Sequence, residues 1–86
     1  MAEVTVNGQT YSLRMMTGAE FDSYIEETKA VGPAKHAALL LTRTLTPATD
    51  VAALLLWPFQ LLIDLGNEAA KVNGLDKEAV DRAEKN

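Results

Sequence analysis

A mostly α-helical domain that opens with a β-hairpin is the fold class this sequence predicts, and three observations predict it. Residues 3–14 alternate apolar and polar side chains about an Asn7-Gly8 dipeptide, the rest of the chain repeats apolar residues at helical spacing, and Thr or Pro marks the expected helix starts. Eighty-six residues suffice for one domain and are too few for two. The expected arrangement is a hairpin (3–14) followed by a small four-helix bundle, together forming a single domain over 1–75. A charged short helix or tail is expected at 76–86.

In the hairpin, Val4 and Val6 face one side while Glu3, Thr5 and Asn7 face the other. Asn7-Gly8 tolerates the positive φ angles of a two-residue type I′ turn, and Tyr11 and Leu13 resume the alternation. A two-stranded hairpin alone is marginal in water, so its apolar face of Val4, Val6, Tyr11 and Leu13 is expected to lie on helices or on a neighbouring subunit. Thr17-Gly18-Ala19-Glu20 then has the spacing of a capping box and starts a first helix, expected over 18–30. That helix places Phe21, Tyr24, Ile25 and Thr28 on one face and Glu20, Asp22, Glu26 and Glu27 largely on the other, an acidic outer face.

Gly32-Pro33 ends the first helix and begins a second, expected over 33–45 with Ala34, Ala37, Ala38, Leu41 and Leu45 on one stripe. Leu39 and Leu40 fall outside that stripe, and His36 and Arg43 lie opposite it. Thr46-Pro47 repeats the cap-then-Pro device for a third helix over 47–56 that packs Val51, Leu54 and Leu55. Pro58 opens the fourth helix, which ends at Asn73-Gly74, a residue pair suited to a left-handed cap. Its apolar arc is wide enough for two contacts: Leu61, Leu62, Leu65, Ala69 and Val72 form one stripe, and Phe59, Ile63, Gly66 and Ala70 form another.

Composition excludes several classes of chemistry. With no Cys and a single His, thiolate zinc sites, disulfides, cysteine nucleophiles and multi-His metal centres are all out of reach. The net charge of −4 and the scattered basic residues disfavour nucleic acid. The longest uncharged run, 51–63, is too short for a membrane span, and no secretory leader is expected at the N-terminus. Asp22, Glu26 and Glu27 are spread round a helix and lack the ligand alternation of a calcium loop. Asp22-Ser23 invites comparison with the modified serine of acyl carrier proteins, but Ser23 sits within a helix and precedes Tyr24. No catalytic residue, cofactor or metal site is therefore expected. The junction at Trp57-Pro58-Phe59 and the second stripe of the fourth helix are the candidates for self-association or partner contact, followed by the hairpin face.

The run Val-Asn-Gly-Gln-Thr-Tyr-Ser-Leu-Arg, followed by Met-Met-Thr-Gly-Ala-Glu-Phe, resembles the opening of many tail assembly chaperones of long-tailed, siphovirus-type bacteriophages. The apolar helical middle, the aromatic Pro junction at 57–59, Leu-Leu-x-x-Leu-Gly and the Asn-Gly stop are similar too, so the resemblance covers roughly residues 4–75. It implies a non-catalytic chaperone that binds the tape measure protein while tail tube protein subunits are recruited. It further implies a homo-oligomer that acts in the cytoplasm of the bacterial host and is absent from the mature virion. A longer frameshifted product, with the codons of Glu84-Lys85-Asn86 as the place to look, belongs to the same expectation. The alternative is a small head–tail morphogenesis adaptor retained in the virion.

Overall fold

The computed structural model describes residues 1–75, so the helix or tail expected at 76–86, with Asp76 as its cap, lies outside the described residues. The elements in chain order are β1 (Ala2–Val6), β2 (Gln9–Leu13), α1 (Gly18–Glu27), α2 (Pro33–Thr44), β3 (Leu45–Thr46), α3 (Val51–Leu54) and α4 (Phe59–Val72). Asn7 and Gly8 take φ angles of 52° and 80°, and the strands pair antiparallel from Val6 opposite Gln9 to Ala2 opposite Leu13. Both turn residues thus sit in the left-handed region that Asn and Gly tolerate best.

The mostly α class with an isolated hairpin is corrected by a third strand. Leu45 and Thr46 pair antiparallel with Leu13 and Ser12, which gives a three-stranded sheet of order β1-β2-β3. Among the described residues about 53% are helical and 16% are in strands. The physical reason lies at the end of α2. Leu45 N–H still closes on Leu41 C=O, the chain then turns extended, and Arg14 N–H reaches back to the Thr44 carbonyl at 2.8 Å. Leu13 and Leu45 are both buried where they meet.

This pairing also shortens the expected third helix. Thr46 belongs to the sheet and cannot cap a helix; instead Asp50 accepts from the Ala53 amide at 2.9 Å, and α3 is a single turn. The Thr46–Pro47 peptide is cis. Beyond Leu54 the amides of Leu56 and Trp57 bond to the carbonyls of Ala53 and Leu54 in tighter i→i−3 turns, and Pro58 then supplies no amide.

The capping box of α1 forms in full, with Glu20 N–H on the Thr17 hydroxyl at 3.2 Å and Thr17 N–H on the Glu20 carboxylate at 3.0 Å. The helix stops at Glu27 rather than Ala30, where the Thr28 hydroxyl donates to the Tyr24 carbonyl at 2.8 Å. At the far end of α4, Gly74 adopts φ 68° and the amides of Gly74 and Leu75 return to the carbonyls of Lys71 and Ala70. This is a Schellman cap, and the left-handed residue it requires is the glycine.

Helix α2 is the hub, packing against α1, α3 and α4. Its five consecutive residues Ala37 to Leu41 are all buried, including Leu39 and Leu40, which a one-sided stripe would leave outside. Leu13, Leu41, Leu54, Leu62 and Leu65 form the deepest part of the core, and β1 rests against α4. Where α2 crosses α4, a Cβ placed on Gly66 would lie 3.2 Å from the Cβ of Ala37. Two small residues set the closeness of that crossing.

Gly66→Val is expected to lower unfolding stability by about 1–3 kcal/mol, because the branched side chain must push α4 from α2. Urea denaturation measures it. An unchanged midpoint would show that the helices do not meet at this glycine.

Candidate functional site

The nine residues singled out for partner contact or self-association fall into three groups. The hairpin face is largely occupied: Leu13 and Val6 are buried, and Val4 and Tyr11 pack half-buried against the same core. Its coverage comes from this chain's own helices. Trp57 is half-buried against Tyr11, with ring centroids 6.2 Å apart and planes inclined by 43°. The junction is thereby fastened to the hairpin.

The second stripe of α4 divides. Gly66 is buried at the crossing with Ala37, whereas Ile63 and Ala70 are half-buried and Phe59 is 55% exposed. Ile63, Gly66 and Ala70 line, with Tyr24, His36 and Leu40, an open cleft of about 440 Å³ between α1, α2 and α4. At its mouth the Tyr24 hydroxyl lies 3.3 Å from His36 Nε2, and the rings meet edge to face. Burial raises the Tyr24 pKa, which keeps the phenol protonated as a hydrogen-bonding group. The pair fixes α1 on α2. No second base or nucleophile stands beside it among the residues lining the cleft.

Charged side chains are used mainly as fasteners. Arg43, expected on the outer face of α2, is only 13% exposed and donates to Leu39 C=O, the Ser23 hydroxyl and the Glu27 carboxylate. Glu27 is held below the ordinary carboxylate range by the Ser23 hydroxyl first and by Arg43 next. The acidic face of α1 is therefore partly neutralised by α2. Arg14, at the exit of the hairpin, grips Glu20 through two parallel bonds of 2.8 and 2.6 Å, and the Glu20 carboxyl is lowered to about 2 by that bond and by the Thr17 amide. Asn73 completes the same corner, accepting from Met16 N–H at 2.7 Å and donating to Ala69 C=O at 2.9 Å. Among the described residues, no group of three or more His, Asp or Glu is placed to hold a metal ion. No described helix is long and apolar enough to cross a membrane.

What the sequence reading missed is Leu55 and Leu56, between α3 and α4, beside the Phe59 it had singled out. Of six large apolar side chains exposed among the described residues, three fall within 55–59: Leu55 at 42%, Leu56 at 87% and Phe59 at 55%. The expected third helix hid this, since a helix running to residue 56 directs Leu55 inward. The available signal was the triplet Leu54-Leu55-Leu56 before Trp-Pro, which one turn of helix cannot bury on all sides. Isolated surface Leu residues are ordinary, and this concentration within five residues makes 55–59 the candidate contact surface.

Comparison with family models, with curated proteins and with solved structures finds no match to this chain.

The Arg14–Glu20 bond gives a prediction with a definite sign. A carboxyl whose pKa falls from 4.5 to about 2 on folding adds stability above pH 4.5, and that contribution disappears as pH falls towards 2. Glu20→Gln retains a capping amide but loses the charge, so wild type should exceed it by about 1 kcal/mol at neutral pH, the effect being limited by solvent screening. Urea unfolding at a series of pH values should show the two converging in acid. A gap that does not change with pH would contradict the ion pair.

Proposed function

We propose that this chain is a non-catalytic assembly chaperone of a long-tailed bacteriophage, which covers apolar surface on the tape measure protein while tail tube subunits are recruited. The observation that carries the reading is the outward cluster Leu55, Leu56 and Phe59 on a chain whose core is already filled. A side chain exposed at 87% contributes nothing to packing within the chain, and an apolar knob beside a half-buried Trp is suited to an apolar client. The resemblance over residues 4–75 supplies the nature of that client. The net charge of −4 suits a protein that must keep an aggregation-prone partner in solution. On this reading its work is done in the cytoplasm of the bacterial host, and it does not remain in the finished particle.

Co-expression with the candidate tape measure protein tests this. The expected result is a soluble complex recovered through a tag on this chain, with the client insoluble when expressed alone. A client equally soluble without this chain, or this chain present in purified particles, would contradict the chaperone reading.

A further inference from the structure

The knob at 55–59 is held outward by its frame. Leu54 beneath it is fully buried, Trp57 is stacked on Tyr11, and the amides of Leu55, Leu56 and Trp57 bond to the carbonyls of Val51, Ala53 and Leu54 at 2.9, 3.1 and 3.0 Å. Neither side of the turn can rotate Leu56 into the core without breaking those contacts. An apolar group presented on a fixed backbone needs little further ordering when a partner docks.

The charged residues of its own stretch of chain have one sign. From Thr44 to Ala70 the only charged residues are Asp50, Asp64 and Glu68. The cations that bracket this stretch are engaged: Arg43 with Glu27, and Lys71 with Glu68. Asp50 accepts from the Ala53 amide one turn before the knob, and Asp64 accepts from Gln60, the residue after Phe59. Among the described residues neither carboxylate has an ion-pair partner, and each stands five residues from the knob in sequence, Asp50 before Leu55 and Asp64 after Phe59.

We infer that Leu55, Leu56 and Phe59 take the apolar face of a basic amphipathic helix, a Leu-type stripe bordered by Lys or Arg, in preference to a second copy of this chain. Two copies meeting knob to knob would bring together two stretches whose charges are all negative, whereas a Lys- or Arg-bordered stripe meets Asp50 and Asp64 with the opposite charge. Three side chains also fall short of the roughly 800 Å² per partner of a standard stable interface, and they match the width of one helix face. The carboxylates repel anionic lipid and nucleic-acid phosphate by the same rule. The inference rests on the client-holding reading for its choice of surface, but its test uses no phage protein.

The probe is a synthetic helical peptide of about five turns, with Leu at every third or fourth position, Lys at the flanking positions and no Trp, beside a twin in which Glu replaces every Lys. Trp57 is the chain's only tryptophan, so its emission reports docking directly. The Lys peptide is expected to bind, and the Glu twin at least about tenfold more weakly. In Leu56→Ser/Phe59→Ser, which leaves every charge in place, affinity for the Lys peptide should fall at least about tenfold while circular dichroism and melting stay unchanged. Leu56→Ser alone, at the most exposed position, should move affinity in the same direction. Failure of the Lys peptide to bind, equal binding by wild type and the double variant, or equal binding of both peptides would overturn the inference. So would self-association of the wild type that the double variant abolishes. Peptide binding with no rescue of the tape measure protein would instead remove the phage client and leave the basic-helix partner standing.

Discussion

Helix α2 must be covered on nearly every side, and the rest of the molecule is arranged to do it. Ala37, Ala38, Leu39, Leu40 and Leu41 point in all directions around the helix axis, and none is more than 6% exposed. A chain of this size has few apolar residues to spare, so each neighbouring helix supplies one face, α1 through Tyr24, α3 through Leu54 and α4 through Leu62, Leu65 and Ala69, while Val6 and Leu13 of the hairpin join the same core with β1 against α4. The close α2–α4 crossing at Ala37 and Gly66 follows from the same demand, because two small side chains bring the flanking leucines into contact. The end of α2 then serves twice. Its last carbonyl, on Thr44, receives the Arg14 amide, and the next two residues become β3, so helix and sheet are joined by continuous chain.

The parts of this design that could be read from sequence are those fixed by local rules. Asn7-Gly8 specifies a two-residue turn, Thr17 and Glu20 a capping box, Pro33 a first helical turn and Asn73-Gly74 a left-handed stop, and each needs only neighbours within a few residues. The third strand was not legible. Leu45-Thr46 is too short to show alternation, and its place in the sheet depends on Leu13, some thirty residues earlier. The same non-local pairing removed Thr46 as a cap and left the third helix with one turn from Asp50. Tertiary context likewise reassigned Leu39 and Leu40, which a single stripe leaves outside, and Arg43, whose partners Ser23 and Glu27 sit on another helix.

The candidate contact surface divides along the same line. Phe59 and Trp57 stood out because aromatic residues at a Pro junction are conspicuous, and the structure places one outward and the other against Tyr11. Gly66 looked like part of an outer stripe because sequence periodicity cannot tell a helix face that meets another helix of the same chain from one that meets a partner. Leu56 was signalled only by the apolar triplet 54–56 before Trp-Pro, since its exposure depends on where α3 stops. The surface proposed for a partner is what remains after α2 has been covered: apolar side chains near the core that no internal face has room to accept.

Residue-resolved amide hydrogen exchange would test most directly whether α2 and the sheet form one cooperative unit. If they do, the amides of 37–45 and of Arg14, which donates to Thr44, exchange only through global unfolding and share one opening free energy. Rapid exchange at Arg14 and along β2 while α2 stays protected would instead show that the sheet opens independently of the helix it is joined to.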